Sequence, residues 1–229
     1  MRVGVLADLQ TAHVGPAERR AISTLMAQRP DVILVAGDLF QGDAAQRRAV
    51  RPALRELLGR LHARGGVYAV QGDAELHTDL ADLLVGTDVR VLEDAAVERT
   101  IGDRRVLIGG NRLRWAPDVA RALRQQLMDA DPSVVRILLA HRPDVVLALP
   151  TDAAIDLTVA GHTHGGQVAL PIYGPLVTFS SVPRSVAAGG LHEVAGNRIY
   201  VSTGVGLVRQ QAPQVRLGAR PSVGLVVLR

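Results

Sequence analysis

Short apolar runs alternate with longer stretches of helical spacing along the chain. Val3–Ala7 carries no polar interruption, the pattern of a strand covered on both faces. Ala17–Arg29 has helical spacing and is ended by Pro30, and Val32–Ala36 predicts the next strand. Ala45–Arg64 predicts a long helix, with Ala45, Ala49, Ala53, Leu54, Leu57, Leu58 and Leu61 at core-facing spacing. Pro52 predicts a kink or a fresh start within it, and Gly65–Gly66 its end. Then come a strand at Val67–Val70, a short helix at Leu80–Leu84, and strands at Val89–Leu92, Ala96–Ile101 and Arg105–Ile108. A helix over Pro117–Ala130 and strands at Ile137–Ala140 and Leu157–Ala160 follow. After Gly161 small and turn-forming residues become frequent. Short strands are predicted there over Gln167–Leu170, Arg198–Ser202 and Val223–Leu228, with Thr178–Gly190 an ordered or semi-ordered surface loop. Alternation of this kind predicts an α/β layer architecture.

At 229 residues the chain suits one domain, 1–229, with no internal repeat or linker. Aromatics make up only 3%, so the core must be aliphatic. Cysteine is absent, which excludes disulfides, a thiolate zinc site and a Cys nucleophile. All 26 basic residues are Arg, and the net charge of +4 is spread thinly, so no specific nucleic-acid partner is expected. No run of 18 apolar residues and no signal-peptide pattern occurs, which predicts a cytoplasmic protein without a transmembrane segment.

Metal-type residues recur directly after the predicted strands. Asp8 follows Val3–Ala7, Asp38 follows Val32–Ala36, and Asp73 follows Val67–Val70. His141 follows Ile137–Ala140, and His162 and His164 follow Leu157–Ala160. Ligand sites of open α/β sheets lie outside the carboxyl ends of the strands, so these residues can converge. Carboxylates gathered together resist joint ionisation, and a pair of divalent cations relieves the conflict while using neutral imidazole as ligand. Singly, an Asp after a strand reads as a cap or turn residue and a lone His as a structural one. The glycine-flanked His162-Thr163-His164 turn reads as a metal site by itself.

Gly37-Asp38, Gly72-Asp73, Ala140-His141 and Gly161-His162-Thr163-His164-Gly165-Gly166-Gln167, in this order, resemble the motif series of the calcineurin-like metallophosphoesterases. Farther on, Leu170-Pro171, Tyr200-Val201-Ser202, Gly204-Val205-Gly206 and Pro213–Arg216 resemble one branch of that family. The branch holds membrane-associated phosphoesterases and UDP-2,3-diacylglucosamine pyrophosphatases. The resemblance implies two packed mixed β-sheets flanked by α-helices. It implies two divalent ions (Mn, Fe or Zn) about 3.5–4 Å apart. It assigns Asp38 as the bridging ligand, Asp8, His164 and the position of Gln10 to the first ion, and Asp73, His141 and His162 to the second. The implied reaction is hydrolysis of a phosphodiester, phosphomonoester or pyrophosphate by a metal-bridging hydroxide. The implied substrate is a small-molecule or lipid-linked phosphoester, met in the cytoplasm or at a membrane periphery.

The chain departs from the family pattern twice. Asp8-Leu9-Gln10 stands where the family shows Asp-x-His. A Gln oxygen favours hard ions, so Mn²⁺ is favoured if Gln10 ligates; otherwise Gln10 stands outside the ligand shell. His13 reads as an exposed loop residue that could reach inward. Gly72-Asp73-Ala74-Glu75 stands where the family shows Gly-Asn-His, so the His that serves the leaving group is missing. Losing a general acid costs about 10²–10⁴ in rate. His77 and Glu75 are the candidates to replace it. Arg142, with Arg184 and Arg209, is the candidate for phosphate contact. The same departures keep open a degenerate, non-catalytic member that binds metal or a phosphorylated ligand.

Overall fold

The structure, a computed structural model, describes residues 1–76, 79–114, 118–208 and 212–229. Strands β1 (Arg2–Leu6), β2 (Val32–Val35), β3 (Val67–Ala69) and β4 (Val89–Val91) pair in parallel, each with the next. A second sheet contains β5 (Ala95–Ile101), β6 (Arg104–Gly110), β7 (Val135–Leu139) and β8 (Leu157–Ala160). Among these four strands the pairings are parallel except β5 with β6. A small hairpin, β9 (Ala169–Leu170) with β10 (Gly174–Pro175), lies outside both sheets. Strands β11 (Gly190–Val194) and β12 (Asn197–Val201) extend the second sheet beside β8. The last strand, β13 (Gly224–Val227), returns to the first sheet and pairs antiparallel with β1. Both sheets are therefore mixed.

Strand periodicity explains how they stack. Val3, Val5, Val32 and Leu34 point to one face and meet Val106, Ile108, Ile137, Leu139 and Val159 of the other sheet. The alternate positions Leu6, Ile33 and Val35 face a helical layer. That layer is α1 (Pro16–Ala27), α2 (Ala44–Leu58) and α3 (Leu80–Leu84), through Ile22, Leu25, Leu54, Leu57 and Leu58. The outer face of the second sheet is covered by α4 (Arg121–Met128) and α5 (Arg184–Ala187). With both faces covered, Val3–Leu6 of β1 and all of β2 carry no polar side chain, and only Arg2 at the start of β1 is exposed.

The differences from sequence expectation have local causes. The expected Ala45–Arg64 helix stops at Leu58, with Gly59 as its cap, because Arg60 to Arg64 turn away to feed β3. Pro52 stays inside α2. It cannot donate to the Arg48 carbonyl, but both residues are exposed, so the loss falls on the solvent face. Ala45 and Ala49 are exposed rather than core-facing, and Val50 is buried instead. The helix expected from Pro117 begins at Arg121, and Pro117 itself lies outside the described residues. The stretch read as the loop Thr178–Gly190 contains α5 and leads directly into β11. Strand β11 is a sheet edge whose alternating exposure admits His192 and Glu193, and these polar residues masked it.

Candidate metal centre

Parallel strands bring their carboxyl ends to one edge. Asp8, Asp38, Asp73, His141, His162 and His164 all follow such ends, of β1, β2, β3, β7 and β8. The turns that carry them are tight. Asp8, Gln10, Asp38, His162 and His164 all have positive φ, between 38° and 73°, in the left-handed region that L residues rarely adopt. Glycines let the turns touch. A Cβ on Gly37 would lie 2.6 Å from the Gly72 nitrogen, and one on Gly161 would lie 2.7 Å from Asp8 Oδ2. These contacts force the first three acidic loops and the His162 loop into one cluster.

Within the cluster His141 is central. Its Nδ1 donates to the Ala36 carbonyl at 2.6 Å, which fixes the ring orientation and turns Nε2 inward as the atom that would ligate a metal once its proton is displaced. Nε2 lies 3.5 Å from Asp38 Oδ1 and 3.4 Å from Asp73 Oδ2, and it is buried without a hydrogen-bond partner. His162 is oriented the same way. Its Nε2 donates to the Phe179 carbonyl at 3.0 Å, and Nδ1 lies 2.8 Å from Asp73 Oδ2. Candidate ligand atoms of Asp73, His141 and His162 all lie within 4.8 Å of one another, as do those of Asp8, Asp38 and His141.

His164 stands outside both close groups. Its buried Nε2 lies 3.8 Å from Asp8 Oδ1, while Nδ1 accepts from the Arg216 guanidinium at 3.1 Å. Gln10 is turned toward the centre, and its Nε2 donates to Asp38 Oδ2 at 2.7 Å. Asp38 Oδ1 accepts from the Ala74 backbone at 2.7 Å. Asp8 is fully buried and accepts from the His162 amide.

The charges in this cluster are in conflict. Burial, with the Asp38 carboxylate adding to it against the pull of His141, pushes Asp8 up to about 8. Burial acts on His141 in the opposite sense, but the Asp38, Asp73 and Asp8 carboxylates outweigh it and lift the ring to about 10. Burial also raises Asp73, yet His141, His162 and Arg142 hold it well below the usual carboxylate range. Divalent cations would relieve these strains together, and the donor set of carboxylates and oriented imidazoles fits them. The inward-facing, unpartnered Nε2 of His141 is the structural sign of that fit.

Other residues singled out in the sequence fall into place differently. Glu75, a candidate proton donor, is completely buried behind the Asp38 turn. Its carboxylate accepts from the amides of Asp38, Leu39, Phe40 and Gly72 at 2.6–3.1 Å, so it shapes the turn instead of facing the chamber. His77 and Arg209 lie outside the described residues. Arg142 lines the chamber and forks onto Asp73 at 2.6–3.2 Å. His13 and Arg184 are exposed. Two contributors carried weaker sequence signals. Arg216, marked only as part of the Pro213–Arg216 stretch, holds the His164 and Gly206 carbonyls as well as the imidazole. Gly204 packs so closely on Asp8 that a Cβ there would lie 2.5 Å from the Asp8 Cβ.

Comparison with known proteins agrees with this architecture. YkuE of Bacillus subtilis, an uncharacterized metallophosphoesterase, is 31% identical over 228 residues, covering 92% of this chain and 72% of the relative. The phosphodiesterase YaeI of Escherichia coli is 27% identical, covering 97% of this chain and 80% of that protein. The crystal structure of a 5'-nucleotidase precursor from Thermus thermophilus superposes with a TM-score of 0.57 at 18% identity. That match covers 89% of this chain and 49% of the neighbour, and it establishes the shared fold. The profile of the calcineurin-like phosphoesterases matches residues 1–166, and the chain belongs to that family of metal-dependent hydrolases acting on phosphoester bonds.

Proposed function

We propose that the chain hydrolyses a phosphodiester or pyrophosphate with two divalent ions, Mn²⁺ foremost. The observation that supports this most is the meeting of five strand ends in one chamber of about 280 Å³, lined by Gln10, Asp38, Asp73, Arg142 and His162. Asp38 is the proposed bridging ligand. Asp73, His141 and His162 would hold one ion, and Asp8 with His164 and Gln10 the other. Bound ions of this kind supply a nucleophile at neutral pH and offset charge on phosphoryl oxygens.

The chain's own groups do the positioning. The Ala74 amide and the Gln10 side chain fix the two Asp38 oxygens. The Ala36 and Phe179 carbonyls fix the two imidazoles. Arg142 offsets the charge of Asp73 and stands beside the space a phosphate would occupy. Ala74 brings no proton to the leaving group, which favours substrates that leave easily, such as phosphoanhydrides. A single domain over 1–229 is part of the same proposal, because β11, β12 and β13 complete the two sheets begun by the profile-matched region.

The test is elemental analysis of purified protein together with a Mn²⁺-supplemented panel of phosphoesters. Two ions per chain and turnover that disappears in Asp38→Ala and His164→Ala are expected. Undiminished hydrolysis by Asp38→Ala would refute the bridging role. A second reading, a metal-binding member without turnover, is favoured by Ala74 and by the hydrogen bond that Gln10 spends on Asp38. It predicts two ions and no hydrolysis anywhere on the panel.

A further inference from the structure

The run His141-Arg142-Pro143-Asp144 that follows β7 reaches three parts of the molecule. His141 turns into the acidic cluster, and Arg142 forks onto Asp73. Asp144 reaches instead to the segment between β10 and α5. Its Oδ2 accepts from the Ser180 hydroxyl at 2.6 Å, and its Oδ1 accepts from the Ser181 amide at 2.7 Å. These bonds join positions 36 and 37 apart, so local chain geometry does not account for them.

The residue just before Ser180 is the one that orients His162. The Phe179 carbonyl accepts from His162 Nε2 at 3.0 Å, and His162 Nδ1 lies 2.8 Å from Asp73 Oδ2. Phe179 has φ of +48°, a conformation that an L residue keeps only where its surroundings hold it. Its side chain is 66% exposed, so burial of the ring does not hold it there. The holds lie on either side. Before it, the Leu176 amide donates to the Val168 carbonyl at 3.1 Å. After it, Asp144 grips Ser180 and Ser181, and Val182 packs in one core with Val145, Val146 and Val186. Asp144 itself stands on a firm base, because the 3₁₀ turn Pro143–Ala148 buries Pro143, Val145 and Val146. Its carboxylate thus ties the turn after His141 to the segment that aims His162.

An Asp that takes a serine hydroxyl and an amide is also a common turn device. Asp131 does this with Ser133, at 2.6 and 2.8 Å, but only two residues away and at the surface. Asp144 does it across the fold, beside the carbonyl that sets a candidate ligand.

We infer that Asp144 is a positioning residue for the ion that Asp73, His141 and His162 would hold. Through Ser180 and Ser181 it keeps the Phe179 carbonyl on His162 Nε2, so that Nδ1 stays turned toward Asp73. The inference rests on the two-ion reading above and concerns one ion of the two. The other side is held by separate contacts, the His162 amide on Asp8 and the Arg216 guanidinium on His164.

The test is calorimetry with Mn²⁺ and electron paramagnetic resonance on the full chain. The wild type should take two ions and show the spectrum of an exchange-coupled pair. Outer partners of metal-bound imidazoles are worth about 10–100-fold in metal affinity. Asp144→Ala should weaken one ion by that factor and leave the other unchanged, so that isolated Mn²⁺ replaces the pair signal. Asp144→Asn keeps an acceptor for Ser181 and offers an amide to the Ser180 oxygen, so most of the affinity should return. Asp131→Ala removes the same two kinds of bond far from the site and should bind both ions as the wild type does. Two full-affinity ions in Asp144→Ala, equal loss of both, or an Asn variant as weak as Ala overturns the inference. If Asp144→Ala melts below the assay temperature, Ser180→Ala decides. It removes one of the two bonds, and weakening of one ion supports the inference, while weakening of neither or both overturns it. The expected binding pattern with no phosphoester cleaved keeps the inference and sinks the hydrolase reading. Turnover with an intact pair signal in Asp144→Ala does the reverse.

Discussion

Replacing Gly72 by Ala tests the heart of the site with one methyl group. Gly72 has φ of −104° and ψ of 178°, a conformation open to any residue, so Ala brings no backbone strain. Its Cβ, however, would lie 2.1 Å from Asp38 Oδ1 and 2.4 Å from the Asp38 nitrogen. Relief to an ordinary contact requires a retreat of about 1 Å. Asp38 cannot simply rotate away, because Ala74 and Gln10 hold its two oxygens at 2.7 Å each and Glu75 holds its amide at 2.9 Å. A misplacement of about 1 Å in catalytic geometry costs about 10²-fold, equivalent to about 2.7 kcal/mol. The forced shift costs about 1–3 kcal/mol of stability. The assays are kcat/KM on the best substrate of the panel, ion content by elemental analysis, and thermal melting. Gly15→Ala is the control, since its Cβ meets only the flexible Glu18 carboxylate, at 3.4 Å. Wild-type turnover with two bound ions in Gly72→Ala would show that Asp38 is not where the ions bind.

Three further outcomes follow from the same geometry. Glu75→Gln must turn an NH₂ group toward two backbone amides that now share a carboxylate oxygen. Each buried donor left without an acceptor costs about 1–3 kcal/mol, so a large drop in melting temperature is expected, and an unchanged one refutes the assignment. In metal-free protein Asp8 is raised to about 8 and His141 to about 10, so the folded state binds protons that the unfolded state releases. Stability from Asp8 is complete below about pH 4 and lost on rising through about pH 8; that from His141 is complete below about pH 6.5 and lost through about pH 10. The metal-free protein should melt lower at pH 9 than at pH 6, and a higher melting point at pH 9 contradicts these assignments. Mn²⁺ must displace the same protons, so calorimetry at pH 7 should show heats that vary with buffer ionisation enthalpy; buffer-independent heats count against Asp8 and His141 as ligands.

Much of this was legible because strand ends and metal-type residues coincide. Buried parallel strands write continuous apolar runs, and Asp8, Asp38, Asp73, His141 and His162 stand immediately beyond them. The fork of Arg142 onto Asp73 and the burial of Glu75 under the Asp38 turn were not legible. Both depend on which way a side chain turns from a short loop, and no periodicity records that. The role of Arg216 was hidden for a related reason. Its contact with His164 joins positions 52 apart, which only the folded chain brings together. The edge strand β11 escaped because exposed and polar residues interrupt its pattern, and α5 because a helix of four residues is too short to show a period.

The pairing of β13 with β1 joins parts of the chain that are remote in sequence. Arg2 meets Val227 and Val5 meets Gly224, so the strand that leads into Asp8 takes its outer neighbour from a segment that no local contact brings to it. Until that segment docks, β1 has an open edge and the Asp8 turn lacks part of its support. Ion loading is thereby tied to closure of this long-range pair, and a variant cut before Gly224 should fold with its first carboxylate poorly anchored.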